Sequence, residues 1–148
     1  MTAQSGSWSV GAMTTTPTIT ILSETEADAF VAEWMEAWNS HDLDRILEHY
    51  ADDVEYYSPF IAQMAEPGGA GADGRIVGQE PVRAYFAAAL ARNPDLHFEP
   101  PATVAVGSGS VSFVYTSIRN LTAVETLVFA PGSRVVARAH CHYRAPAG

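Results

Sequence analysis

The stretch from residue 34 to residue 60, WMEAWNSHDLDRILEHYADDVEYYSPF, constrains the fold of this chain more than any other. Trp34 and Trp38 lie four residues apart, which places both indoles on one face of a helix. The polar residues 39–42 end that helix, and an aromatic strand begins near Val54. Between them lies a second helical stripe, formed by Leu43, Ile46, Leu47 and Tyr50. Two amphipathic helices and an aromatic strand in so short a segment predict a fold built around a pocket.

Local signals also predict where the other helices begin and end. Ser23 and Glu26 form the S-x-x-E pattern of a capping box, so the first helix should begin at Ser23. A third helix should cover about 79–92, with Asn93 and Pro94 as its stop. The buried stripe of the first helix is predicted to contain Ala27, Phe30, Val31, Trp34, Met35 and Trp38.

The second half of the chain reads as strands joined by short polar or glycine-containing links. Short links between consecutive strands favour antiparallel pairing. The predicted strands cover about 96–106, 110–120, 124–130 and 135–143.

Composition limits the classes of protein that this chain can belong to. A length of 148 residues suits one domain, which we expect to span 21–145 after a flexible tail, 1–20. A formal net charge of -9 argues against nucleic acid or an anionic membrane as the partner. The single cysteine, Cys141, excludes an intramolecular disulfide and suits a reducing cytoplasm. No apolar run reaches spanning length. The charge favours a small organic ligand or a protein as the partner, and we expect a hydrophobic small molecule.

A long stretch between Pro59 and Val77 is predicted to be a flexible lid loop, because loops of this length in small domains are usually functional or disordered. Gly69, Gly71 and Gly74 formally match the G-x-G-x-x-G pattern of dinucleotide sites. That motif requires a strand directly before it and a helix directly after it, and neither flank fits. The glycines therefore indicate flexibility, and no cofactor is expected.

Glu125 is the carboxylate with the most informative setting, because it interrupts the apolar strand AVETLVFA. Strand alternation places it on the same face as Leu127 and Phe129. If Pro131 and Gly132 form a two-residue turn, Glu125 lies opposite Arg138. The same register brings His140 and His142 to the face of Glu125, inside a hydrophobic cavity.

Two interpretations of Glu125 follow from this placement. Burial among apolar side chains would raise its pKa and make it an acid or base near neutrality, whereas pairing with Arg138 would lower its pKa and make a structural ion pair. A third, weaker interpretation uses His140 and His142 as an H-x-H metal pair with Glu125 as the third ligand; no second metal motif supports it, and no metal is expected. Cys141 alternates away from the histidines and is interpreted as a small buried hydrophobe.

Four segments carry a resemblance to a known family: AWNSHDLD at 37–44, HYADDV at 49–54, SPF at 58–60 and GQEPVRAYF at 78–86. They resemble the SnoaL-like branch of the nuclear transport factor 2-like superfamily, which includes polyketide cyclases and ketosteroid isomerases. The resemblance implies an α+β fold, in which a cone-shaped, curved and mostly antiparallel sheet and three helices from the N-terminal half enclose a pocket. It also implies a homodimer.

The same resemblance carries three functional positions of the isomerases onto this sequence. The hydrogen-bonding tyrosine falls on Trp34, the proton-shuttling aspartate on Ser58, and the second acid on Glu125, near which the cyclases have their acid/base aspartate. Serine does not shuttle a proton at neutral pH as a carboxylate does, and an indole nitrogen only donates. Standard steroid isomerisation is therefore not expected, and a one-carboxylate, cyclase-like mechanism is.

The sequence thus predicts a small-molecule cavity protein acting on a hydrophobic, carbonyl-bearing ligand, with Glu125 as acid/base and Arg138 and His140 as its catalytic partners. The alternative is a non-catalytic ligand-binding or dimeric assembly module. The residues predicted to bind the ligand are Trp34, Trp38, Tyr57 or its neighbour Tyr56, Ser58, Tyr85, Phe86, Phe113, Leu127, Phe129 and His142.

Overall fold

A computed structural model describes residues 18–146 of the chain as an α+β fold. In these residues two α-helices precede the first strand, one lies between the first two strands and a fourth follows the second strand. Six strands form one open, mixed sheet in the order β2-β1-β6-β5-β4-β3. The tail expected over 1–17 lies outside the described residues. The elements are α1 (Glu24–Ser40), α2 (Leu43–Leu47), β1 (Tyr50–Tyr57), α3 (Pro59–Met64), β2 (Arg75–Val77), α4 (Gln79–Arg92), β3 (Thr103–Gly107), β4 (Ser110–Thr116), a 3-10 turn (Ile118–Asn120), β5 (Thr122–Phe129) and β6 (Val136–Arg144).

Helix α1 begins as its local sequence predicts. Ser23 caps it, and the reciprocal hydrogen bonds between Ser23 and Glu26 complete the capping box. Its apolar stripe is buried against the sheet, apart from the partly buried Phe30. The helix ends at His41, which adopts a left-handed conformation with φ of 60°. Thr20, assigned to the tail by sequence, hydrogen-bonds to the loop residue Ser133 and so already belongs to the folded part.

The sheet is antiparallel from β3 to β6, as predicted. Strand β2, which was not predicted, pairs antiparallel with β1, and β1 pairs parallel with β6. Strand β3 begins only at Thr103, later than predicted. Pro100 and Pro101 explain the delay, because proline has no N–H to donate to a strand ladder. None of the helices in the described residues is long and apolar enough to cross a membrane.

The segment 59–77 is not the structureless loop that its glycines suggested. Ser58 accepts a hydrogen bond from the Phe60 amide and caps α3, and Pro59 occupies the first turn, where its missing N–H costs nothing. Strand β2 then pairs with β1. Only 65–74 lies outside regular structure, and its consecutive turns bring the chain back to Ser58, whose amide donates to the Gly74 carbonyl.

The hairpin of β5 and β6 decides which side chains face the interior. Phe129 pairs with Val136, but Val128 pairs with Arg138, so Ala137 is an extra residue on β6 and forms a β-bulge. One extra residue turns every following side chain of the strand to the other face. The turn also spans four residues, 131–134, instead of the two predicted, since the Ala130 amide donates to the Val135 carbonyl. The longer turn and the bulge together pair Glu125 with Cys141, so the predicted pairing of Glu125 with Arg138 is wrong.

Candidate active site

A cavity of about 60 Å³, partly open to solvent, lies between the inner face of the sheet and the helices. Helices α1, α3 and α4 contribute Trp34, Trp38, Phe60, Tyr85, Phe86 and Ala89 to its wall. The sheet contributes Tyr56, Tyr115, Glu125 and Tyr143, and the loops that close the wall contribute Asn93, Leu96, Phe98, Ser117 and Ile118. Glu125 is the charged residue of this predominantly aromatic lining.

Glu125 is almost fully buried, with 2% of its surface exposed. The hydroxyl of Tyr115 donates a hydrogen bond of 2.9 Å to its Oε1 atom. On the other side, Cys141 Sγ lies 3.2 Å from Glu125 Oε2 and 3.2 Å from the hydroxyl oxygen of Tyr56. The carboxyl group is thus held between a phenol and a thiol on the two strands that flank β5.

Burial raises the pKa of Glu125 to about 7, because a charged carboxylate loses its hydration in the aromatic interior. The hydrogen bonds from Cys141 and Tyr115 oppose this shift, since both stabilise the ionised form. No arginine, lysine or histidine among residues 18–146 forms an ion pair with Glu125, so no cation cancels the effect of burial. A carboxyl group with a pKa near 7 can both take up and release a proton at neutral pH.

Four phenols line the cavity together with Glu125: Tyr56, Tyr85, Tyr115 and Tyr143. Burial raises the pKa of each of them, to about 12 for Tyr85, and the charge of Glu125 adds to the effect. All four therefore remain protonated at neutral pH and can donate hydrogen bonds. Trp34 Nε1 donates to the hydroxyl of a fifth buried tyrosine, Tyr50, at 2.9 Å.

One polar atom next to the cavity has no partner. Trp38 Nε1 is buried and makes no hydrogen bond with the described residues. An unsatisfied buried donor costs roughly 1–3 kcal/mol, so the structure retains it against a stability cost. All other fully buried side-chain nitrogen and oxygen atoms of the described residues have a hydrogen-bond partner.

The cavity opens into a wider depression of about 370 Å³, which we call the mouth. Phe60, Tyr85, Ala89, Asn93 and Ile118 belong to both the cavity and the mouth. The rim of the mouth is more polar than the cavity and carries Gln63, Met64, Arg92 and Arg119.

The predicted ligand-binding residues divide into three groups. Trp34, Trp38, Tyr85 and Phe86 line the cavity with Glu125. Ser58 is buried and caps α3, and it helps to lower the pKa values of the Tyr85 and Tyr143 phenols against the effect of burial. The three remaining apolar residues are buried in the core without contributing to the cavity wall: Phe113, Leu127 and Phe129.

The structure places the other predicted partners of Glu125 on the opposite face of the sheet. In the strand register, Arg138 lies beside Glu55 of β1. The imidazole of His140 stacks on Tyr57, with ring centroids 4.3 Å apart. His142 is exposed and lies against the Val124 carbonyl, 3.1 Å from its Nδ1. The bulge at Ala137 is the physical reason for these errors, and Tyr56 rather than Tyr57 lines the cavity.

The weaker metal interpretation fails for the same reason. A site made of His140, His142 and Glu125 would need all three side chains on one face, and the sheet separates them. Residues 18–146 contain no group of three or more histidine, cysteine or carboxylate side chains placed to hold a metal ion.

Sequence reasoning missed the residues that contact Glu125 most closely. Cys141 was interpreted as an inert hydrophobe, and Tyr115 and Tyr143 were not selected. Alternation offered a signal for Tyr115, which shares a strand face with Phe113, and Phe113 pairs directly with Glu125. Phe60 could not be placed, because its helix lies in the segment predicted as a loop.

Comparison with known proteins agrees with this architecture. Residues 31–148 match the family model of the SnoaL-like domain. A SnoaL-like protein of unknown function from Burkholderia thailandensis is 42% identical, with a TM-score of 0.75 over 84% of this chain and 99% of that one. Among curated proteins, none matches this sequence significantly.

More distant structures share the fold. A candidate polyketide cyclase from Sinorhizobium meliloti is 15% identical, with a TM-score of 0.61 over 82% of this chain and 100% of its own. A candidate ketosteroid isomerase from Kribbella flavida is 17% identical, with a TM-score of 0.57 over 82% of this chain and 80% of its own. At such identities the likeness concerns the fold alone. The match of the family model over most of the chain shows that this protein belongs to the SnoaL-like family.

Proposed function

We propose that this protein is an enzyme that uses Glu125 as a general acid/base on a hydrophobic ligand bearing a carbonyl group. The observation that carries the proposal is the setting of Glu125, which is buried in a cavity wall, has no cationic partner in the described residues, and has a pKa raised to about 7. Carboxyl groups with raised pKa values in clefts are frequent acid/base catalysts.

The chemistry that fits this setting is proton transfer at the carbon next to a carbonyl. The ionised Glu125 takes the proton from that carbon, and the electron pair moves to the carbonyl oxygen as the enolate forms. A phenol that donates to this oxygen stabilises the developing charge. Tyr85 and Tyr143 suit this role, because both line the cavity and both stay protonated. Protonated Glu125 then returns the proton at the same or another carbon.

The size of the cavity limits which part of a ligand reacts there. Typical ligand clefts measure roughly 300–1,000 Å³. The cavity of about 60 Å³ therefore admits only one end of a ligand, and the rest must occupy the mouth of about 370 Å³. We infer that the carbonyl end enters the cavity.

Hydrogen exchange into simple ketones tests the proposal without knowledge of the natural substrate. The protein is incubated in heavy water with β-tetralone and with smaller cyclic ketones, and loss of the proton signal next to the carbonyl is followed by NMR. We expect exchange faster than in buffer, with a rate that rises with pH around 7. Glu125→Gln should lower the rate by roughly 10²–10⁴.

Glu55→Gln is the matched control, since Glu55 lies on the opposite face of the sheet and pairs with Arg75. It should exchange at the wild-type rate. Equal rates for wild type and Glu125→Gln, or no exchange above buffer with any of the ketones, would contradict the proposed catalysis.

One observation also supports the non-catalytic alternative. The small volume of the cavity suits retention of a ligand as well as its conversion. The structural form of this alternative, an ion pair of Glu125 with Arg138, is excluded by the strand register. The homodimer expected from the family resemblance remains a prediction, and sedimentation equilibrium of the full chain would test it.

A further inference from the structure

Two arginines lie at the rim of the mouth. Arg92 is the last residue of α4, and Arg119 belongs to the 3-10 turn between β4 and β5. Both line the mouth, and both also line the neighbouring depression around Asn93 and Ile118. Two separate elements of the fold thus bring positive charge to two depressions that share wall residues with the cavity of Glu125.

The charges of these two arginines are not used by the rest of the described structure. Within residues 18–146, Arg92 and Arg119 form no ion pair, and neither do Arg138 and Arg144 on β6, whereas the other four arginines form ion pairs with carboxylates: Arg45, Arg75, Arg83 and Arg134. Asp95 lies in the neighbouring depression but forms no ion pair with either of them. Uncompensated positive charge at this place is notable in a chain with a formal net charge of -9.

The backbone holds Arg119 in position at a cost. Arg119 and Asn120 have φ values of 54° and 61°, in the left-handed region that side chains other than glycine rarely adopt. Such strain persists where the surrounding structure enforces it, and it concentrates at functional sites. Here a hydrogen bond of 2.7 Å from the Ser117 amide to the Leu121 carbonyl closes the turn.

A contact holds the guanidinium group of Arg119 near the opening, and the charge of Arg92 acts on a phenol of the cavity wall. The guanidinium carbon of Arg119 lies 5.1 Å from the ring centroid of Phe60, which lines both the cavity and the mouth, in a cation–π arrangement. The charge of Arg92 acts on the phenol of Tyr85, whose pKa it helps to lower against the effect of burial. The two positive charges therefore flank the aromatic path to Glu125.

From this arrangement we propose that the ligand is an amphiphile whose apolar, carbonyl-bearing end enters the cavity and whose carboxylate is bound by Arg92 and Arg119 at the mouth. The inference deepens the proposed function and rests on it for the assignment of the carbonyl end. Guanidinium groups match carboxylates in charge and geometry. A single negative charge suits the site better than a phosphate dianion, because the strongly acidic protein repels multiply charged anions. Binding the carboxylate at the rim also keeps it apart from Glu125.

A pair of matched probes tests this inference by binding alone. The probes are β-tetralone carrying a carboxylate on its aromatic ring and the methyl ester of the same compound. Dissociation constants are measured by NMR titration at low salt for the wild type, for Arg92→Gln, for Arg119→Gln and for the double variant. Arg138→Gln, on the opposite face of the sheet, is the control for the loss of one positive charge.

We expect the wild type to bind the carboxylate about tenfold more tightly than the ester, and added salt to reduce this preference. Each single variant should lose part of the preference and the double variant nearly all of it, whereas Arg138→Gln should keep it. A preference that survives in the double variant, or the absence of any preference in the wild type, overturns the inference. Failure of both probes to bind at millimolar concentration also overturns it.

The outcome is separable from that of the proposed catalysis. Hydrogen exchange is measured on the same two probes with wild type and Glu125→Gln. If the protein binds the carboxylate probe more tightly than the ester but does not catalyse hydrogen exchange, only the acid/base role of Glu125 is contradicted. If exchange depends on Glu125 but the protein binds the carboxylate probe and the methyl ester equally well, only the role of the arginines is contradicted.

Discussion

Glu125 on β5 pairs directly with Cys141 on β6, and the thiol sulfur lies 3.2 Å from the carboxylate oxygen Oε2. The contact exists because a bulge at Ala137 turns the second half of β6 over. We expected a cation next to Glu125, but its neighbour is a thiol, which is a weak and neutral donor. A carboxyl group next to an arginine would have a lowered pKa, whereas the pKa of this one is raised to about 7.

The raised pKa of Glu125 predicts a specific dependence of stability on pH. Between the ordinary pKa of 4.5 and about 7, the folded protein holds a proton on Glu125 that the unfolded chain has lost. The free energy of unfolding should therefore fall as pH rises through this window, by about 3 kcal/mol at most. Urea unfolding of wild type and Glu125→Gln at pH 4.5 to 8 measures the effect as the difference between the two proteins.

Glu55→Gln serves as the control for this pH window. Hydrogen bonds from Tyr57 and Arg75 lower the pKa of Glu55 from 4.5, so its contribution to stability is fully present above pH 4.5 and is lost only as pH falls through the lowered value. The stability difference between wild type and Glu55→Gln should therefore stay constant from pH 4.5 to 8. A stability difference between wild type and Glu125→Gln that does not change with pH would show that the carboxyl of Glu125 is not desolvated.

Substitutions of Cys141 should move the pKa of Glu125 in opposite directions. Cys141→Ala removes a donor to Oε2 and should raise the pKa, whereas Cys141→Ser offers a stronger donor and should lower it. The thiol is a weak donor, so each change should be below about one pH unit. NMR titration of the carbon-13-labelled side-chain carboxyl groups, with Glu125→Gln to assign the signal, measures both. Shifts of the same sign in both variants would contradict a hydrogen-bonding role for the thiol.

The glycines of segment 65–74 allow a prediction about packing with an internal control. Gly71 has a φ of 83°, and a Cβ atom there would lie 2.9 Å from Ile61 Cγ2, so Gly71→Ala should destabilise the protein by about 1–3 kcal/mol. Gly68 has a similar φ of 75° but no atom within 4 Å of such a Cβ, so Gly68→Ala should show the backbone cost alone. Thermal unfolding compares the two, and an equal loss in both would mean that the contact with Ile61 adds nothing.

Mobility of the segment 66–74 remains a prediction. Backbone hydrogen bonds of its amides join residues of the segment to each other. The Gly69 amide donates to the Glu66 carbonyl, and the Gly74 amide donates to the Gly71 carbonyl. Few apolar anchors oppose its conformational entropy. Native-state amide exchange should therefore be faster here than in the strands of the sheet, and equal protection in the two regions would contradict the prediction.

Local sequence was sufficient where local interactions decide the structure. The capping box at Ser23 and the stop at Asn93 determine where α1 begins and where α4 ends, and both were read correctly. Proline and glycine signals were less reliable: Pro59 begins a helix in a segment that its many glycines made look like a loop. A short helix of this kind depends on its contacts with the rest of the fold more than on its own propensity.

The sequence by itself determined the family and the α+β fold, through four segments that resemble the SnoaL-like family. It also determined the burial of Trp34 and Trp38 and the choice of Glu125 as the unusual carboxyl group, because periodicity and residue type encode both. Only the tertiary structure decided what Glu125 touches. The register of β5 and β6 depends on one extra residue, Ala137, whose bulge is set by how the strand fits between its two neighbours. That single residue moved His140 and Arg138 to the opposite face and brought Cys141 to the carboxylate, since side chains alternate along a strand and a shift of one position exchanges the two faces.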